Sequence, residues 1–186
     1  MRSSLYVRPE GAVVESVEIS AELRYSVLSP YRPECSYLER VTVDAHAQGE
    51  GAAGRVQVAR GEFAVPQSFY IQSTGHFNAV EFNLSYNQLT YVFLGHCAQQ
   101  RLLPTMELTF DEYLRLQLPG VLILEYRCTF RDRIDPRHYL GELYIDSIVE
   151  KSNLWLVDTR CAFGNDSARL AAEGSVLLAV MKPRRS

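Results

Sequence analysis

The stretch from Asn78 to Gly95 constrains this chain most. Asn78 followed by Glu81 is a capping-box pattern: the asparagine accepts from the first free helix amides, and the glutamate reaches back to its backbone N–H. Beyond that start, Val80, Leu84, Tyr91 and Leu94 recur along a helix, and Phe82, Leu89, Val92 and Phe93 cover much of the remaining circumference. A helix so apolar all round must be buried. It also carries an uncharged polar stripe of Asn83, Asn87 and Thr90, with Gln88 beside it. Buried amides need partners or a ligand. A fold that encloses a long helix needs a sheet able to curl around it.

The rest of the chain supplies that sheet. Residues up to about Ile19 show no clear period and read as a leader, and Ser20 can cap a short helix through Leu28 that Pro30 and Pro33 stop. Residues 1–34 are therefore expected to be a leader and a short helix. Residues 37–47 and 55–65 read as two strands joined by a glycine-rich turn at 49–54. After Pro104, Thr109 and Glu112 repeat the capping box ahead of a short helix ended by Pro119 and Gly120. Residues 121–130, 139–149, 154–163 and 174–181 read as further strands, with turns at 132–137 and 164–166. This order predicts a single α+β domain over residues 1–186, one antiparallel sheet curled around one helix.

Composition excludes several classes. A net charge of −3 gives no general attraction to nucleic acid. No apolar run reaches membrane-span length and residues 1–6 lack a signal-peptide core, so the expectation is a cytoplasmic protein with no membrane partner. Cys35, Cys97, Cys128 and Cys161 are far apart without a CxxC pair and read as buried thiols. His46, His76, His96 and His138 are scattered, so no metal site is expected. With no glycine-rich phosphate loop or G-x-S-x-G elbow, neither a nucleotide cofactor nor a serine nucleophile is expected.

The chemistry concentrates where the helix begins. His76 precedes a helix N-terminus, whose amides and dipole favour negative charge developing on a polarised carbonyl. The bland alternative is a histidine bonded to a turn carbonyl. Asn78 is a cap whatever else it does, and Glu81 is either the capping-box partner or a base. Asn87 lies one helical turn after Asn83. An amide cannot take a proton, but it can hold a water or a carbonyl; otherwise it is a buried amide tied to backbone. Tyr31 sits between two prolines on a stiff loop that can aim its side chain.

Tyr70 and Ile71, the run from Ser73 to Glu81, the triplet from Asn87 to Leu89, and Tyr91 together resemble the signature of the FcoT-type fatty acyl thioesterases. The resemblance implies the hotdog fold, a curved antiparallel sheet around a long central helix, and a homo-oligomer with active sites at the interface of a dimer. It implies catalytic roles for His76, Asn78, Asn87, Tyr70 and Tyr31, and substrate contacts from Ser73, Thr74, Gly75, Glu81, Asn83 and Tyr91. Its substrates are fatty acyl thioesters on coenzyme A or an acyl carrier protein. FcoT-like proteins of natural-product pathways add glycine across a 2-enoyl thioester before releasing the acid, and this is the activity expected here. Arg115, Arg127 and Arg131 are candidate donors for the glycine carboxylate. The alternatives are a plain acyl-CoA thioesterase, a 3-hydroxyacyl thioester dehydratase or hydratase, and a non-catalytic acyl-binding protein.

Overall fold

The computed structural model describes residues 15–45, 58–68, 70, 71, 75–167 and 169–183. Strand β1 (Glu15–Glu18) leads into helix α1 (Ala21–Leu28), a 3-10 turn (Pro33–Cys35) and strands β2 (Leu38–Ala45) and β3 (Val58–Phe63). Helix α2 (Ala79–Gln100) and helix α3 (Phe110–Gly120) follow, then β4 (Val121–Phe130), β5 (Tyr139–Glu150), β6 (Leu154–Asp166) and β7 (Arg169–Met181). The strands form one sheet in the order β1-β2-β3-β5-β6-β7-β4, antiparallel at every step. It packs around α2 in the α+β, hotdog manner expected.

Local chemistry explains the boundaries. Ser20 accepts from the Leu23 N–H at 3.2 Å to start α1, and both capping boxes form, at Asn78 with Glu81 and at Thr109 with Glu112. Arg101, in the left-handed conformation at φ 54°, ends α2. Three expectations need correction. The leader contains a strand, since Glu15–Glu18 pairs with Thr42–Ala45, a contact without local periodicity to announce it. The turn placed at 164–166 is strand, because β6 continues to Asp166 by way of register irregularities, and β7 begins at Arg169 rather than 174. Cys97 and Cys161 are buried, but Cys35 and Cys128 are only half-buried. The turn expected at 49–54 lies outside the described residues.

The sheet's concave side is filled with aromatic rings. Phe77, Phe82, Tyr139 and Phe163 pack with centroids 4.9 to 6.3 Å apart. Gly61 and Gly141 face each other on β3 and β5. A Cβ on Gly61 would come within 2.6 Å of the Phe63 ring, and one on Gly141 within 2.5 Å of the Phe163 ring. The rings lie over bare backbone, as close packing requires.

Gln88 fastens α2 to the sheet. Its Oε1 accepts from the backbone N–H groups of Tyr37 and Leu38 at 2.9 and 3.0 Å, and its Nε2 donates to the Cys35 carbonyl at 2.5 Å. One amide thus satisfies three backbone groups at the entry to β2. Tyr86 and Ser85 add hydroxyl pairs to Thr159 on β6 and Tyr139 on β5, each at 2.8 Å. We predict that Gln88→Ala destabilises the fold by about 3 kcal/mol, because each buried group left unpaired costs roughly 1–3 kcal/mol. A urea-unfolding loss well below 1 kcal/mol would show that Gln88 does not fasten the helix.

Candidate active site

The helix is not closed on every side. Val80, Asn83, Leu84, Asn87 and Tyr91 form a stripe at helical spacing that is exposed or half-buried, flanked by fully buried positions. Asn83 and Asn87, expected among the buried amides, lie on this open stripe. Neither side chain has a hydrogen-bond partner among the described residues. Asn87 is not tied to backbone among the described residues, and Gln88, rotated 100° onward, plays that part instead. Tyr31 is half-buried beside the far end of the stripe, where burial first and then the neighbouring Tyr91 phenol raise its pKa. It therefore remains a neutral donor.

At the near end, Tyr70, Asn78 and Glu81 form a closed ring of hydrogen bonds. The Asn78 Oδ1 accepts from the Val80 N–H at 2.8 Å, and the Glu81 Oε2 accepts from the Asn78 N–H at 3.2 Å. The Tyr70 hydroxyl donates to the Glu81 Oε1 at 2.9 Å and accepts from the Asn78 Nδ2 at 2.7 Å. Burial first, and the Glu81 carboxylate against the opposing hydrogen bond from Asn78, hold the Tyr70 phenol above its ordinary pKa. Glu81 is thus both cap and anchor for a phenol, and at 1% exposure its carboxylate is sealed from water.

Gly75 sits at φ 69°, in the left-handed region that glycine enters without penalty, and places His76 at the surface. Phe77 then turns inward, and its N–H donates to the Ile134 carbonyl at 3.2 Å, pressing the turn against the β4–β5 loop. Between them lies a cleft of about 450 Å³ lined by His76, Arg133, Asp135, Arg137 and Asn165 with Gly75, Ile134 and Pro136. Arg115, Arg127 and Arg131 do not line it, and Arg131 instead pairs with Glu173. Arg133 and Arg137 take their place beside His76. The sequence showed them only as part of a turn, because their placement depends on the tertiary bond from Phe77 to Ile134.

Sequence reasoning also missed Tyr37. Its hydroxyl is fully buried, has no hydrogen-bond partner among the described residues, and lies within the electrostatic reach of Glu81 and Tyr70. Ser73 and Thr74 lie outside the described residues. Among the described residues no three histidine, cysteine or acidic side chains cluster as metal ligands.

Residues 26–180 match the family model described as an FcoT-like thioesterase domain. The chain belongs to this family. A (2E)-enoyl-ACP glycyltransferase of Streptomyces coeruleorubidus is 35% identical over 127 residues, 68% of this chain and 73% of the relative. One from Mycobacterium marinum is 31% identical over 183 residues, 93% of this chain and 94% of that one. The fold is shared with zebrafish thioesterase superfamily member 2, at 12% identity and a TM-score of 0.50 over 86% of this chain and 94% of that one.

In this FcoT-like chain the phenol of Tyr70 can be removed without touching the two backbone capping bonds. Tyr70→Phe should therefore lower acyl thioester turnover tenfold or more with a small change in melting temperature. Glu81→Ala, which breaks the cap, should cost about 1 kcal/mol of stability as well. Paired melting curves and rate assays separate the two, and undiminished turnover in Tyr70→Phe would remove the phenol from the chemistry.

Proposed function

We propose that this protein adds glycine to the β-carbon of a fatty 2-enoyl thioester carried on an acyl carrier protein, then hydrolyses the thioester to release an N-carboxymethyl-3-amino acid. The observation that carries this reading is the 31–35% identity, over 68–93% of the chain, to proteins named (2E)-enoyl-ACP glycyltransferase. The geometry supports it. The acyl chain can lie along the open stripe of α2, with its thioester carbonyl near the helix N-terminus and the Asn87 amide within the same stripe. The carboxylates beside the His76 turn are committed, Glu81 to Tyr70 and to the Asn78 N–H, and Asp135 to Arg137. Water, a weak nucleophile, gains little activation there, whereas an amine needs only to lose a proton.

The steps balance without a cofactor. The glycine ammonium gives a proton to the His76 imidazole, and its lone pair forms the N–Cβ bond. The π electrons of the alkene move onto the thioester oxygen, where the helix N-terminus and neighbouring donors stabilise the enolate. The α-carbon recovers a proton from His76, leaving a secondary ammonium. Water then forms a C–O bond, the C–S bond breaks, and the proton that the water sheds passes to the departing sulfur. Asn87, roughly 12 Å farther along α2, orients the part of the bound thioester that lies on the stripe, and Tyr70 and Tyr31 supply phenols at its near and far ends. Gly75, Asn83 and Tyr91 line the bound substrate.

Among the described residues no helix is long and apolar enough to cross a membrane, and we place the protein in the cytoplasm, where its carrier substrate resides. A homodimer completes the site in this reading. β4 is an edge of the sheet, and Leu122, Ile123 and Leu124 on it are 44%, 39% and 52% exposed, an apolar edge suited to pairing with a second copy. Leu124→Arg should shift the protein to monomer in sedimentation.

Mass spectrometry of a 2-enoyl acyl carrier protein incubated with and without glycine decides the reaction. The expected product has gained the mass of glycine and left the carrier. Release of the unsaturated acid alone would leave a plain thioesterase. Asn87→Ala should abolish turnover in a folded protein, and wild-type rates in that variant would remove Asn87 from the mechanism. His76→Ala should flatten the pH dependence of the addition step.

A further inference from the structure

We propose that Arg133 seats the carboxylate of the incoming glycine beside His76, an inference that rests on glycine addition being the reaction. Arg133 lines the same cleft as His76, and its guanidinium makes no ion pair among the described residues. The other cation there is engaged. The Arg137 Nε donates to both oxygens of Asp135 at 2.9 and 3.1 Å, and its Nη2 donates to the Asp135 Oδ2 at 2.5 Å. Asp135 is thereby taken up by Arg137, which leaves the Arg133 guanidinium with no carboxylate bonded to it among the described residues.

The loop that carries Arg133 is braced from three directions. The Ile134 carbonyl accepts from the Phe77 N–H at 3.2 Å, the Asp135 N–H donates to the Asn165 Oδ1 at 2.9 Å, and the Val65 N–H donates to the Pro136 carbonyl at 2.7 Å. Ile134 itself is buried, and the Arg133 N–H is held by the Asp132 carboxylate at 2.8 Å. The Arg133 backbone is therefore fixed relative to the His76 turn, as a site for a small co-substrate must be.

Ligand chemistry selects glycine for this seat. One carbon separates its carboxylate from its amine. A carboxylate held by the planar fork of a guanidinium thus leaves the ammonium within a few bond lengths, where the His76 imidazole can take its proton. The other anion of this reaction, the phosphate of the carrier's pantetheine arm, is separated from its thioester by the whole arm. With that phosphate on Arg133, the thioester would lie far from the start of α2.

The test compares glycine with glycinamide, an amine of similar size without a carboxylate, as nucleophiles toward a 2-enoyl acyl carrier protein. The wild-type protein should strongly prefer glycine. In Arg133→Ala the half-saturating glycine concentration should rise tenfold or more and the preference over glycinamide should collapse, and Arg133→Lys should retain part of it. A full preference for glycine in Arg133→Ala would overturn the assignment. So would a rise confined to the half-saturating carrier substrate, which would make the cleft a phosphate seat. If the wild-type protein incorporates neither amine, glycine addition itself is wrong and this seat falls with it.

Discussion

The site depends on where α2 begins, and two opposed forces fix that point within three residues. Phe77 is drawn inward, its ring packed 4.9 Å from Tyr139 and 5.6 Å from Phe163. Asn78 and Glu81 are held at the helix end by the need to satisfy N–H groups that have no partners within the helix. Neither can slide along the chain without the other failing, since a shift of one residue would break the capping bonds and take the ring out of its packing. His76, immediately before this junction, is consequently presented at the surface in a fixed place. The Phe77 N–H bond to Ile134 carries the same constraint across to the arginines of the β4–β5 loop.

Further along α2, the same residue chemistry has opposite fates at adjacent positions. Gln88 faces the sheet and spends its whole amide on the backbone of Cys35, Tyr37 and Leu38. Asn87 faces the open stripe with no partner among the described residues. A rotation of 100° separates a structural amide from one available to a ligand. The division is possible because the sheet encloses most but not all of the helix, leaving a strip along Val80, Asn83, Leu84, Asn87 and Tyr91. A fully enclosed helix would have no surface on which to hold an acyl chain.

Much of this was legible in the sequence, and the unread remainder has a common cause. The capping boxes, the buried helix and the span of β4 follow from local pattern, because caps and periodicity act over a few residues. Strand β1 escaped because its order comes from pairing with β2, and the extension of β6 to Asp166 because irregular register carries it past a glycine and an asparagine that locally signal a turn. In the candidate site, Tyr70, Asn78 and Glu81 were identified individually, but their closed ring was not, since Tyr70 lies eight residues before Asn78, beyond the reach of a local capping pattern. Arg133 and Arg137 were hidden for the same reason. Nothing near them in the chain says that their loop will meet His76.

The Tyr70–Asn78–Glu81 ring also bears on what chemistry the proposed site can support. A carboxylate that already accepts a phenol and a backbone N–H, and that is sealed from solvent, has little access to a third group. Its usefulness lies in the field it sets. Burial first, and then the negative charge on Glu81, oppose ionisation of Tyr70, so the phenol remains a donor at neutral pH and its oxygen is held by Asn78. Such a site is built from neutral donors and a helix N-terminus. It is suited to stabilising an oxyanion that forms when a nucleophile arrives already competent, and less suited to generating that nucleophile from water. An amine made competent by a single proton transfer at the edge of the site, where His76 is exposed, meets that condition, and the enolate and the tetrahedral oxyanion that follow make the same demand on the same donors.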